Sequence, residues 1–86
     1  MKYAVELRPV AERARRKLKG LAIRQRVNDA LLALEDEPRP HGVVKLSGTV
    51  NEWRIRIGDY RIIYEIDDEE QRVTILRIAH RRQVYR

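Results

Sequence analysis

The stretch from Glu52 to Tyr64 constrains this chain most, because apolar and charged residues alternate along it up to a Gly-Asp pair. Trp53, Ile55 and Ile57 fall on one side of an extended strand and Glu52, Arg54 and Arg56 on the other, as a period of two requires. Gly58-Asp59 suits a two-residue hairpin loop, whose primed turns need positive φ. Such a loop predicts that Ile57 faces Tyr60, Arg56 faces Arg61 and Arg54 faces Ile63. One face of the hairpin is then core, and the other gathers Arg54, Arg56 and Arg61. Like charges directly opposite on a sheet cost about 0.2–1 kcal/mol, a cost that a bound phosphate would reverse. Guanidinium arms splayed into solvent would need no ligand, so the cluster gains meaning only beside the rest of the chain.

At 86 residues the chain is expected to form one small domain, 1–86, with a single modest core. Its 19 Lys+Arg against 13 Asp+Glu leave a net charge of +6, which favours polyanionic partners. The absence of cysteine excludes disulfides, thiolate metal sites and thiol nucleophiles. No apolar run approaches membrane-spanning length, and Met1 to Leu7 does not read as a signal peptide. The expected location is the cytoplasm, with no membrane partner.

Residues 2–8 read as a strand, and Pro9 suits the first turn of a helix running to about Lys19, with Val10, Ala14 and Leu18 on its apolar stripe. Gly20 stops it. A second helix from about Leu21 to Asp36 carries Ile23, Val27, Ala30, Leu31 and Leu34 on one stripe, and Pro38 closes it. Val43–Leu46, Asn51–Ile57, Tyr60–Ile66 and Gln71–Ala79 read as strands, and a loop at the acidic run 67–70 would oppose Glu65 to Arg72 and Tyr64 to Val73. The fold class is α+β: an N-terminal strand and a helical hairpin packed on a mainly antiparallel four-stranded sheet.

Few chemistries remain. His41 and His80 have no carboxylate at a ligand spacing, so no metal site is read and no cofactor is expected. Ser47, Thr49 and Thr74 lack a His–Asp arrangement, and neither a phosphate loop nor a dinucleotide fingerprint occurs. What is left is a cationic set: Lys45, Arg54, Arg56 and Arg61, with the terminal run His80-Arg81-Arg82-Gln83-Val84-Tyr85-Arg86. Metal-free RNA cleavage needs an aligned 2′-hydroxyl, a proton acceptor, charge stabilisation on the phosphorane and a proton for the leaving oxygen. Arginines supply charge and alignment, and Tyr85 can stack on an unpaired base. Strict alternation through the last strand puts Leu76, Ile78 and His80 on the arginine face and Arg81 on the other.

The runs Lys45-Leu46-Ser47-Gly48, Trp53 to Ile66 with its Gly58-Asp59-Tyr60-Arg61, and Ile78 to Tyr85 with its His80-Arg81-Arg82 resemble the RelE/ParE toxin superfamily over nearly the whole chain. The resemblance implies a fold like that of microbial ribonucleases and a RelE-like mRNA interferase, a ribosome-dependent endoribonuclease cutting mRNA in the A site. It implies Arg54 and Arg56 as substrate-activating residues, Arg61 as the phosphate-stabilising arginine, Arg81 as general acid and Tyr85 as the stacking tyrosine. Lys45 and Arg82 would contact RNA. Guanidinium is a poor proton acceptor, which leaves Glu52 and His80 as alternatives for the base, while His80 and Arg81 are rivals for the acid. The implied partner is a RelB-like antitoxin, acidic and partly disordered, through which operator DNA would be bound.

Two other functions stay open at this level. A ParE-like toxin would inhibit DNA gyrase by binding it, without catalysis, on the same fold. A basic module that binds RNA without cutting it would leave the same charge footprint.

Overall fold

The computed structural model describes residues 2–84, with side chains through residue 82. The chain runs β1 (Ala4–Leu7), α1 (Pro9–Arg16), α2 (Leu21–Ala33), β2 (Val44–Lys45), β3 (Glu52–Ile57), β4 (Tyr60–Asp67), β5 (Arg72–His80) and α3 (Arg81–Val84). The sheet has five strands in the order β1-β5-β4-β3-β2. The expected four-stranded antiparallel sheet is present, and β1 joins it as a further strand, parallel to β5. The α+β class and the helical hairpin are as the sequence implies.

The hairpin register is the predicted one: Ile57 opposite Tyr60, Arg56 opposite Arg61, Arg54 opposite Ile63. Gly58 has φ 59° while Asp59 stays out of the positive region, the pattern of a II′ turn with glycine first. A side chain at Gly58 would also meet Ile23 Cδ1 at 3.5 Å and Arg26 Nη1 at 3.4 Å, so α2 closes over the turn. Arg26 therefore has a place in the packing that helix-dipole considerations alone do not supply.

The β4–β5 register differs from expectation. Asp67, not Glu65, lies opposite Arg72, and Tyr64 lies opposite Ile75. The loop is Asp68–Gln71, and Gln71 takes φ 53° to enter β5. Asp68 is more than a solvated turn residue. It accepts hydrogen bonds from Tyr3 Oη at 2.6 Å and from both Arg39 terminal nitrogens at 3.3 and 2.9 Å. The Arg39 guanidinium lies 5.0 Å from the Trp53 ring centroid. Chiefly through its hydrogen bonds from Arg39, the Asp68 carboxyl is held below its ordinary range. The N-terminal strand, the β4–β5 loop and β3 are thereby tied together.

Helices α1 and α2 cover one sheet face. Ala11, Leu18, Val27, Leu31 and Leu34 pack on Ile62, Tyr64, Ile66, Val73, Ile75 and Ile78. The α2 stripe matches expectation, but in α1 Ala11 is buried while Val10 is 52% exposed. The packed face of α1 is Ala11 and Ala14, continued by Leu18 just beyond the helix, which ends at Arg16 rather than near Lys19.

Tyr64 is fully buried and its Oη donates to the Pro38 carbonyl at 2.8 Å. Burial pushes its pKa up to about 12. A raised pKa adds stability below the unfolded value near 10, and that increment is lost as pH rises to about 12. Unfolding by denaturant across that interval is expected to show falling stability. Tyr64→Phe should flatten this limb while costing about 1–3 kcal/mol at neutral pH for the Pro38 carbonyl left without its donor.

Candidate functional site

Cross-strand pairing sorts the uncovered face into rows. Arg56, Arg61 and Ala79 form one, Arg54, Ile63 and Arg77 the next, and Glu52, Glu65 and Thr74 the third. Neighbouring strands stand about 4.8 Å apart and rows roughly 6.7 Å apart, so four guanidinium arms rise from a patch about 10 Å across. Charge changes sign along the strands, from arginine at the hairpin turn to carboxylate at the far end. Ile63 and Ala79 are buried on this face, flanked by arginines whose aliphatic stems can shelter them.

The arginines differ in setting. Arg56 is exposed and its Nε reaches back to the Gly58 carbonyl at 3.5 Å. Arg54 and Arg61 are half-buried, and Nε and Nη1 of Arg61 are shielded from solvent. Arg81 opens α3, where its backbone N–H donates to the Asp59 carbonyl at 2.7 Å and its Nε lies 3.9 Å from Asp59 Oδ1. The start of α3 is thus pinned to the turn that sets the Arg56–Arg61 row.

His80 is a correction. The register shift between Ile63 and Tyr64 leaves Leu76 as an extra residue in β5, a bulge that reverses the alternation beyond it. Ile78 and His80 therefore share the helix-covered side with Ile62 and Tyr60, and Arg77 and Ala79 take the arginine face. The His80 ring meets Tyr60 edge to face, centroids 5.4 Å apart. Its Nδ1 accepts the Arg82 N–H at 3.3 Å, so the neutral ring carries its proton on Nε2. Glu52 remains on the arginine face; His80 does not.

Arg77 was missed by strict alternation. Its sequence signal is the apolar doublet Ile75-Leu76, where the phase set by Val73 and Ile75 gives way to that of Ile78. Lys45 pairs with Trp53, which leaves Val44 rather than Lys45 beside Arg54, and its Nζ donates to the Thr49 carbonyl at 2.9 Å. Arg82 is exposed. Tyr85 lies outside the described residues. Among the described residues no group of three or more His, Asp or Glu could hold a metal ion.

Residues 5–85 match the model of the ParE toxin of type II toxin–antitoxin systems. The chain belongs to the RelE/ParE superfamily and is a toxin of a type II toxin–antitoxin system. Within that superfamily its likeness is to RelE toxins. It is 35% identical to toxin RelG of Mycobacterium tuberculosis, over 100% of this chain and 99% of that protein. The toxin in the archaeal RelE–RelB complex from Pyrococcus horikoshii superposes with a TM-score of 0.84 at 31% identity, covering 98% of this chain and 100% of that one. For the intact E. coli RelBE toxin–antitoxin complex the TM-score is 0.78 at 25% identity, covering 91% of this chain and 95% of that one. Both of these relatives are seen bound to an antitoxin. No helix among the described residues is long and apolar enough to cross a membrane.

If the Arg56–Arg61 pair is repulsive in the free protein, Arg56→Gln should leave thermal stability unchanged or raise it by about 0.2–1 kcal/mol. A clear drop in the melting temperature would show that the row is held by other means.

Proposed function

We propose that this toxin is a metal-free endoribonuclease that cuts mRNA in the ribosomal A site and so stops translation. The observation that carries this reading is the Arg56–Arg61 row beside Arg54 and Arg77, on a sheet face that α1 and α2 leave open. An all-donor patch of this kind suits a phosphodiester.

In the reaction the substrate 2′-hydroxyl loses its proton and O2′ attacks the adjacent phosphorus. The bond from phosphorus to the 5′ oxygen breaks, and that oxygen takes up a proton. The products are a 2′,3′-cyclic phosphate and a 5′-hydroxyl. Arg61 stabilises the phosphorane. Its half-buried setting lowers the local dielectric and strengthens that charge interaction. Arg54 and Arg56 draw in and align the backbone, with Arg77 as a further phosphate contact on the same face. Glu52, the carboxylate on β3 beside Arg54, is assigned as proton acceptor, since guanidinium serves poorly. Arg81 is our assignment for the proton donor to the leaving oxygen, supported by its backbone bond to the turn and by His80 lying on the other side of the sheet. Tyr85 stacks on the nucleotide, and Lys45 and Arg82 add backbone contacts further out.

An acidic, partly disordered antitoxin of RelB type is the partner that would neutralise this face, by complementary charge and by folding as it binds. Operator DNA would be held through that antitoxin.

The match to a model named for ParE supports a second reading, binding to DNA gyrase without catalysis. Primer extension on an mRNA translated by purified ribosomes separates the two. The nuclease reading expects cuts within A-site codons that need ribosomes and fall about 10²–10³-fold in rate with Arg61→Ala. Intact mRNA from folded, antitoxin-free toxin, together with inhibited gyrase supercoiling, would favour the second.

A further inference from the structure

On the helix-covered side of the sheet, near the end where β5 stops, a second group of cations gathers outside the arginine face. Arg13 in α1 and Lys17 at its C-cap lie four residues apart, with the Lys17 N–H donating to the Arg13 carbonyl at 3.2 Å, so they share one side of the helix. The nearby carboxylate is already taken: Glu12 accepts from Arg15 Nε and Nη2 at 2.9 and 2.7 Å and from Arg16 Nε at 3.0 Å. Those hydrogen bonds, Arg15's first, hold the Glu12 carboxyl down to about 2. Arg13 and Lys17 are left facing a cavity of about 420 Å³, with Tyr60 and His80 on its wall and Ala14 and Ile78 beneath. No acidic residue among those described lines it.

The donor count decides what would fit. Lys17 and Arg13 offer only donors, and His80 borders the cavity with its Nδ1 accepting from the Arg82 N–H. Tyr60 adds a hydroxyl. Such a pocket offers no carboxylate for a cation among the described residues and only the Tyr60 oxygen as a side-chain acceptor, so it suits a ligand made of acceptors, while its apolar floor and edge-to-face rings suit a sugar or base attached to it. We infer that this cavity is a second phosphate-binding site, for a phosphodiester of the RNA strand whose neighbouring phosphates lie on the arginine face. The two sites lie on opposite faces at the same end of the sheet. Tyr60 and Arg61 are consecutive in β4, and Ala79 and His80 in β5, and each pair points to opposite faces. The identity of the phosphate donor rests on the nuclease reading; the anion site itself does not.

Two titrations of the free full-length toxin test this. The chain has two histidines, so ring signals of His80 and His41 can be followed separately by NMR, with His41 as an internal control. Inorganic phosphate at constant ionic strength should shift the His80 ring signals, leave His41 in place, and lose this effect in the Arg13→Gln, Lys17→Gln double variant. No His80 shift in the wild type, or an equal shift in the variant, would overturn the site. Binding of an uncleavable 2′-O-methyl oligonucleotide across a salt series then tests the donor. The slope of log affinity against log salt should fall by about 0.7 in the double variant, the share of the one phosphate the cavity holds. An unchanged slope beside a lost phosphate response would overturn RNA as the donor while keeping the anion site. The variant should melt at or above the wild-type temperature, because a like-charge pair four residues apart has been removed.

Discussion

The pairing of β3 with β4 through the Gly58-Asp59 turn determines which side chains can meet, because the side-chain period of a strand is two. A slip of one residue would send Arg54 and Arg56 into the core and Trp53, Ile55 and Ile57 into water. Burial of Ile62, Tyr64 and Ile66 under α1 and α2 penalises that alternative heavily. The positive φ of Gly58 and the closure of α2 over it fix the same register from the turn side. The core face and the arginine face thus follow from one choice of pairing.

That choice sets like charges side by side. Arg56 and Arg61 stand opposite one another, with Arg54 and Arg77 one row away. A sheet selected for stability alone would place opposite charges in those positions. The carboxylates Glu52, Glu65 and Asp67 are on the same face but further along the strands, so they do not neutralise the first row directly. This separation leaves the hairpin end positive and the far end negative. On the proposed reading this polarity would draw a polyanion toward the turn, where Arg81 is fastened to Asp59.

Much of this could be read from residues. The hairpin was legible because alternation, a Gly-Asp pair and β-branched residues all point one way. The α2 stripe was legible for the same reason, with Val27, Leu31 and Leu34 at helical spacing and all buried. The side of β5 was not, since the Leu76 bulge moves His80 to the helix side and Arg77 to the arginine side. Pairing of β1 with β5 joins residues some seventy positions apart, and no local pattern encodes that contact. The clamp of Asp68 by Tyr3 and Arg39 was hidden likewise, because an acidic run looks solvated until its long-range partners are known. For the site, the sequence brought Arg54, Arg56 and Arg61 together correctly in register, while the sides of Arg77, His80 and Lys45 depended on a bulge and on a two-residue strand.

The central claim is that the arginine face acts on RNA as a unit. It is tested most directly by single-turnover cleavage of mRNA on programmed ribosomes, comparing wild type with Arg54→Ala, Arg77→Ala and, as a control away from this face, Lys19→Ala. The account predicts that both arginine-face variants fold normally and lose at least tenfold in rate, while Lys19→Ala stays within about twofold of wild type. Rates within twofold for all three variants would contradict it, and would make the row of arginines a binding surface for something other than the reacting phosphate.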